Sequence, residues 1–192
     1  MSPYAGAVVV FLFVFGLFVV KGHLKWVLLA GTILSIMLSW GKNMMWLTEL
    51  FLDYFPMYNK FRAVSQMLVI AEFCIPLLAI LVVDKLIKNS DLLKDKIKIP
   101  FSKSEMSVQT AFFTAFGLTG GLSLLFYLMP GLTDFTSISD AQMYEGIQKS
   151  NGAQVAQQVM DNVEIARIAL FKADALRSFF FRLLGALSLW LF

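Results

Sequence analysis

The stretch Asp53-Tyr54-Phe55-Pro56-Met57-Tyr58-Asn59-Lys60-Phe61-Arg62 sets an acid, a proline, two tyrosines, a lysine and an arginine within ten residues, between long hydrophobic runs. Arg62 offers a planar, permanently charged fork that suits a phosphate, and Lys60 adds a second point charge. Tyr58 and Asn59 supply neutral hydrogen-bonding groups beside them. These four residues read as a candidate binding site for an anionic group. The same residue types also anchor helices at a membrane surface, and both readings stand at this point.

Three further acids and one base bear on chemistry. Glu49 and Asp53 are four residues apart, so on a helix they face the same way, where like charges cost about 0.2–0.5 kcal/mol. Lys42, Lys60 and Arg62 are the nearby cations. The pair is either a carboxylate site, for a substrate, a metal or an acid/base step, or a solvated helix face with ordinary ion pairing. Glu72 falls near the middle of an apolar run, where an ionisable group is costly unless paired or protonated. Pro76, four residues on, removes the N–H that would bond the Glu72 carbonyl. Arg182 lies a few residues into the last apolar run and is a partner within reach. Glu72 is thus either a structural acid inside a helix bundle or a polar spot on a broken helix. No metal-ligand spacing, nucleophile triad or phosphate-cradling glycine loop occurs, so neither a metal nor another cofactor is implied.

These groups must be positioned by very apolar elements. Of 192 residues, 58% are hydrophobic and 15% charged, with mean hydropathy +0.73; soluble domains hold about 45–50% apolar and about 25% charged residues. The apolar residues cluster in runs rather than alternating, as in segments surrounded by lipid. The expected class is all-α, a polytopic transmembrane helical bundle of about five spans with amphipathic helices on its outer face. The spans are expected near residues 5–20, 26–40, 63–83, 108–129 and 179–192. The lone Cys74 forms no internal disulfide. A net charge of +3 is too small to argue for nucleic acid.

Charge orients the spans. The connection Lys21-Gly22-His23-Leu24-Lys25 is basic, and residues 84–107 hold six lysines against four acids. The positive-inside rule places both in the cytoplasm, and residues 41–62 and 130–178 outside. His23 in its short basic loop reads as interfacial. An outer amino terminus that starts on a helix, and a carboxyl terminus within one, lead us to expect a piece of a larger protein.

In the outer segments, Met44, Leu47, Phe51 and Phe55 recur at three- and four-residue steps opposite Lys42, Glu49 and Asp53, predicting an amphipathic helix over Gly41–Phe55. Ser139-Asp140-Ala141-Gln142 fits a capping box. Asn151-Gly152 breaks that helix, and Val155, Val159, Val163, Ala166 and Leu170 predict one face of the next, which runs toward the last span. Gly117 and Gly121 have the spacing that allows close helix–helix approach.

Trp40-Gly41-Lys42-Asn43, running into Phe55-Pro56-Met57-Tyr58-Asn59-Lys60-Phe61-Arg62-Ala63-Val64-Ser65, resembles the outer-loop motif of YfhO-type bacterial membrane proteins, Bacteroidetes-like ones especially. Asp174-Ala175-Leu176-Arg177 before the last span is similar to that family too. The resemblance covers essentially the whole chain. It implies a C-type glycosyltransferase-like protein of the bacterial inner membrane that takes a sugar from a polyprenyl-phosphate donor. The acceptor would lie in the cell envelope, outside the cytoplasm. In that fold the catalytic acid lies on a first outer loop, which nothing here matches, so no catalytic residue is assigned. A membrane transporter or flippase coupled at Glu72 and Pro76, and a non-enzymatic envelope-assembly scaffold, are the rival expectations.

Overall fold

The computed structural model of the protein describes residues 5–40, 44–55, 64–89, 96–98, 105–133 and 135–191. Seven α-helices dominate them: α1 (Ala7–Val19), α2 (Leu24–Ser39), α3 (Met45–Tyr54), α4 (Leu68–Lys88), α5 (Val108–Leu128), α6 (Ile138–Asn151) and α7 (Ala153–Leu191). The class is all-α. The chain forms two compact units, Met1–Thr119 with Gly185–Phe192, and Gly120–Leu184; α5 and α7 run without a break from one into the other.

The core of the first unit is the seam between α1 and α4. α1 is apolar on every side, so packing contacts rather than an amphipathic stripe select its inward face. Phe11 and Phe15 are fully buried there, with Leu78 and Val82 of α4. Gly16 lets the two backbones approach: a Cβ at that position would stand 2.9 Å from Leu78 Cγ and 2.9 Å from Val82 Cγ2. Phe112 of α5 closes the cluster, meeting Phe11 edge-on at 5.2 Å and Phe15 at 5.4 Å. Gly31 plays a milder version of the same part where α2 meets Cys74 Sγ, at 3.3 Å from a built Cβ.

Away from this seam, large apolar side chains face outward. Val69, Phe73, Ile80 and Ile87 of α4, and Phe113, Leu118 and Leu122 of α5, are each more than half exposed. Among the described residues one helix, α5, is long and apolar enough to cross a membrane, and only 33% of its apolar window is buried. α1 and α2 are apolar but shorter, and α4, at 21 residues, carries Glu72, Asp84, Lys85 and Lys88.

Two elements depart from the expected boundaries. The third apolar run was expected as a span over 63–83, but α4 begins at Leu68 after a 3-10 turn at Val64–Met67 and continues to Lys88. The extension is held by Lys85, whose ammonium reaches back to the end of α1, donating to Val19 O at 3.1 Å. Within the segment expected as a basic loop, β1 (Lys96–Lys98) and β2 (Glu105–Ser107) pair antiparallel, with Lys96 opposite Ser107 and Ile97 opposite Met106. Ile97 is buried in the main core and Met106, its partner across the strands, packs against the same core, so these two apolar side chains fasten the hairpin to the helices.

In the second unit, α6 starts at a capping box, but two residues earlier than the sequence suggests. The Ser137 side chain accepts from Ser139 N, while Asp140 Oδ2 accepts from Ser137 N at 2.7 Å. Gly152 breaks the chain between α6 and α7 at φ +90°, a left-handed conformation that favours glycine. The inner face of α7 matches the predicted one in part: Val159 and Val163 are half-buried as expected, and Ala166 is exposed. Val155 and Leu170 are exposed, whereas Ala156 is buried and Val163, Arg167 and Phe171 turn inward. Phe171 packs edge-on against Phe126 at 5.8 Å and Phe135 at 5.3 Å.

The close approach predicted for Gly117 and Gly121 is absent among the described residues: a Cβ at either would meet nothing within 4 Å.

Candidate functional site

The first unit has two chemically different ends. At one, α3 lies on Leu38 of α2 and Met67, through buried Leu47 and half-buried Met44 and Phe51. Glu49 and Asp53 are exposed on the other side of α3, which is the face expected of them. Phe55 departs from expectation and is 61% exposed. The helix ends at Tyr54, so Phe55 takes extended backbone and stacks on Phe51 at 5.5 Å instead of reaching the core. Tyr58, Asn59, Lys60 and Arg62 lie outside the described residues, as does Lys42; the acidic pair is the part of the candidate site whose surroundings are described.

Glu72 is exposed on α4, beside a small apolar depression of about 130 Å³ formed with Ala5, Ile36, Leu68, Ala71 and Ile75. Among the described residues no ion pair forms at Glu72. Arg182, the partner expected for it, is placed in the second unit, where its guanidinium donates to Ser123 Oγ of α5. Near Glu72 the sequence hid a second polar feature. Ser35 of α2 is fully buried, donating to Met67 O and accepting from Ala71 N at 3.2 Å. Its hydroxyl stands at the pair that forms the first rung of α4. A serine amid Leu, Ile and Met in α2 was the available signal.

The other end is basic, about 24 Å away along the 16 residues of α2 at ~1.5 Å per residue. The α1–α2 turn, the end of α4 and the hairpin meet there. Lys25 Nζ donates to Leu17 O at 2.7 Å, as Lys85 does to Val19 O. Both ammoniums therefore satisfy carbonyls that α1 leaves open at its C-terminus, where positive charge is also favoured by the helix dipole. Burial, and then repulsion from Lys85, pushes the Lys25 pKa down; burial, and then Lys21, does the same to Lys85. The sequence marks α1 as ending without its own cap, and lysines elsewhere supply it. Beside them opens a cleft of about 610 Å³, lined by Lys21, His23 and Lys25 from the α1–α2 connection and the start of α2, and by Lys96 and Glu105 from the two strands.

The second unit holds one strong ion pair. Arg167 grips Asp140 with two hydrogen bonds, 2.6 Å from Nη1 and 2.8 Å from Nη2, and Nη1 also donates to Phe135 O at 2.8 Å. The bidentate geometry suits arginine and carboxylate. It ties α7 to the start of α6, so its reading is structural. The Arg167 hydrogen bonds, and then the Ser137 N–H, hold the Asp140 pKa down, from 3.8 to about 2. A carboxyl depressed on folding adds stability that is complete above its unfolded value and lost as pH falls. The clasp should therefore weaken between about 3.8 and about 2. In a carbon-detected NMR titration Asp140 should show a midpoint near 2, and Arg167→Gln should return it toward 3.8; an unmoved midpoint would remove Arg167 as its cause.

No family model matches the chain, and no curated protein or solved structure is significantly similar to it.

Proposed function

We propose that the chain is part of a multi-pass helical membrane protein of the bacterial inner membrane. In this reading it is YfhO-like and transfers a sugar from a polyprenyl-phosphate donor to an acceptor in the envelope. The observation that supports the membrane reading is the segregation of charge in the first unit. Lys21, Lys25, Lys85, Lys88 and Lys96 gather at one end, Glu49 and Asp53 are exposed at the other, and helices with outward-facing Val, Ile, Leu and Phe lie between. Water would penalise such outward faces, while lipid accepts them. Basic residues on the cytoplasmic side then put α3, and the Pro56–Arg62 motif that follows it, at the outer surface.

The donor is inferred from the resemblance carried by Pro56–Arg62 and from the chemistry of those side chains. Lys60 and Arg62 would hold its phosphate, with Tyr58 and Asn59 beside them and Glu49 and Asp53 facing the sugar. Arg62→Lys in the intact protein keeps the charge and removes the fork. Affinity for a polyprenyl-phosphate sugar should fall by roughly 1.5–3 kcal/mol, the scale of a charged hydrogen bond, and Arg62→Ala should do worse. If Arg62→Lys binds the donor as well as the parent, the motif is a membrane anchor and the donor reading fails.

Glu72 beside Pro76 favours one other reading, a transporter with its coupling acid on an interrupted helix. In that case Glu72→Gln would abolish substrate movement while Arg62→Lys left it intact.

A further inference from the structure

The lysine-bearing end of the first unit is more than a face that obeys a topology rule. A solvated basic surface spreads its charges apart, whereas here the cleft of about 610 Å³ collects Lys21, Lys25 and Lys96 with His23 around one volume. A second depression of about 280 Å³ shares Lys21 and Lys96 and adds Lys85 and Lys88. Among the described residues two carboxylates stand near them. Glu105 lines the cleft, and Asp84 is engaged by Lys88 at 2.9 Å. Lys25 and Lys85 each use one of three N–H donors on an α1 carbonyl, which leaves donors to spare. Burial first, and then repulsion, pushes both pKa values down, with Lys85 acting on Lys25 and Lys21 acting on Lys85, so three like charges are felt within one region.

The rest of the lining fixes the kind of counter-ion. Phe18, Ile97 and Trp26 give the cleft apolar walls, and Trp26 lies against Lys25 with the ammonium 5.4 Å from its ring. Such walls suit an anion carried on a larger, partly apolar group better than a bare ion. Lysines act as compact point charges and bind phosphate without the bidentate fork that arginine offers. The volume exceeds one phosphate and leaves room for the group esterified to it.

We propose that this cleft binds a phosphate ester, with Lys21 of the α1–α2 connection and Lys96 of β1 as its principal donors. The chemistry is shared by two sources, the headgroup of an anionic phospholipid and a soluble organic phosphate. The proposal is independent of the transferase reading, since it concerns the other end of the unit.

The test uses the whole purified protein in detergent. One arm titrates phosphatidylglycerol against phosphatidylcholine and counts retained lipid by native mass spectrometry; the other titrates glycerol 1-phosphate by calorimetry. Lys21→Ala with Lys96→Ala should weaken binding about tenfold, the scale of one lost charged hydrogen bond. Lys149→Ala with Lys172→Ala, which removes the same charge from the second unit, should leave it unchanged. Glu105→Gln should tighten binding, an outcome that a damaged fold does not produce. Lysine-dependent binding of phosphatidylglycerol alone identifies a headgroup, and of glycerol 1-phosphate also, a soluble ester. Equal losses for the two lysine pairs would reduce the cleft to diffuse charge and overturn the proposal, as would failure of both probes to bind.

Discussion

Phe112→Ala should cost the fold about 3–5 kcal/mol, the range for removing a buried aromatic ring from a packed core. Its ring is 4% exposed and stands edge-on to both Phe11 and Phe15, so one truncation breaks two aromatic pairs between α5 and α1. Each such pair is worth about 0.5–1.5 kcal/mol beyond area burial. The matched control is Leu118→Ala on the same helix. Leu118 is 59% exposed, and its truncation should stay within about 0.5 kcal/mol. Denaturant titration of the purified protein, followed by helical circular dichroism, compares the two. Similar losses would mean that α5 is not held through the Phe11–Phe15–Phe112 cluster.

Gly16→Leu should be the most damaging single change in the α1–α4 seam. The sign is decided already at Gly16→Ala. Alanine favours a helix interior over glycine by about 0.8–1 kcal/mol, but its Cβ would meet two buried side chains of α4 at 2.9 Å. Overpacking of that kind costs about 1–3 kcal/mol, so the steric term wins and Ala destabilises. Leucine adds three more carbons to the same place, and α1 has to tilt away from Leu78 and Val82. Gly117→Ala in α5 should have the opposite sign, because nothing lies within 4 Å of its Cβ and the propensity gain stands alone. Opposite thermal shifts for the two Gly→Ala variants are the expected result. A stabilising Gly16→Ala would show that the seam is looser than the interatomic distances require.

The two glycines also show where the sequence could be read and where it could not. Long apolar runs marked helices correctly, because a continuous stretch of Phe, Val and Leu leaves few other ways to satisfy the backbone. Which glycine is pressed against a neighbour depends on a crossing point between distant segments, and spacing alone chose Gly117 and Gly121 over Gly16. α3 was legible from its three- and four-residue pattern, since Leu47 and Phe51 meet a partner surface of matching size. α7 was legible only in part: Val159 and Val163 are half-buried as expected, but Arg167 joins that face through its pairing with Asp140, 27 residues away, which no local pattern reports. The hairpin β1–β2 was missed for a similar reason: three-residue strands carry too little periodicity, and only Ile97 and Met106 pack against the core among the described strand residues. Within the candidate site, the exposed faces of Glu49 and Asp53 were legible. The burial of Ser35 was not, as one hydroxyl in an apolar helix has no periodic signature.

Ser35 and Pro76 act on the same helix, five residues apart in their effects. At Met67 and Ala71 the serine hydroxyl takes part in the opening rung of α4, and five residues on, the proline removes the partner of the Glu72 carbonyl. The missing rung at Pro76 divides the helix into a short leading piece and a longer trailing one. The trailing piece is clamped by Leu78 and Val82 against α1. The leading piece carries Met67, on which α3 rests. A bend at Pro76 would carry Met67 and the α3 that rests on it, while the Leu78–Val82 clamp keeps the trailing piece on α1.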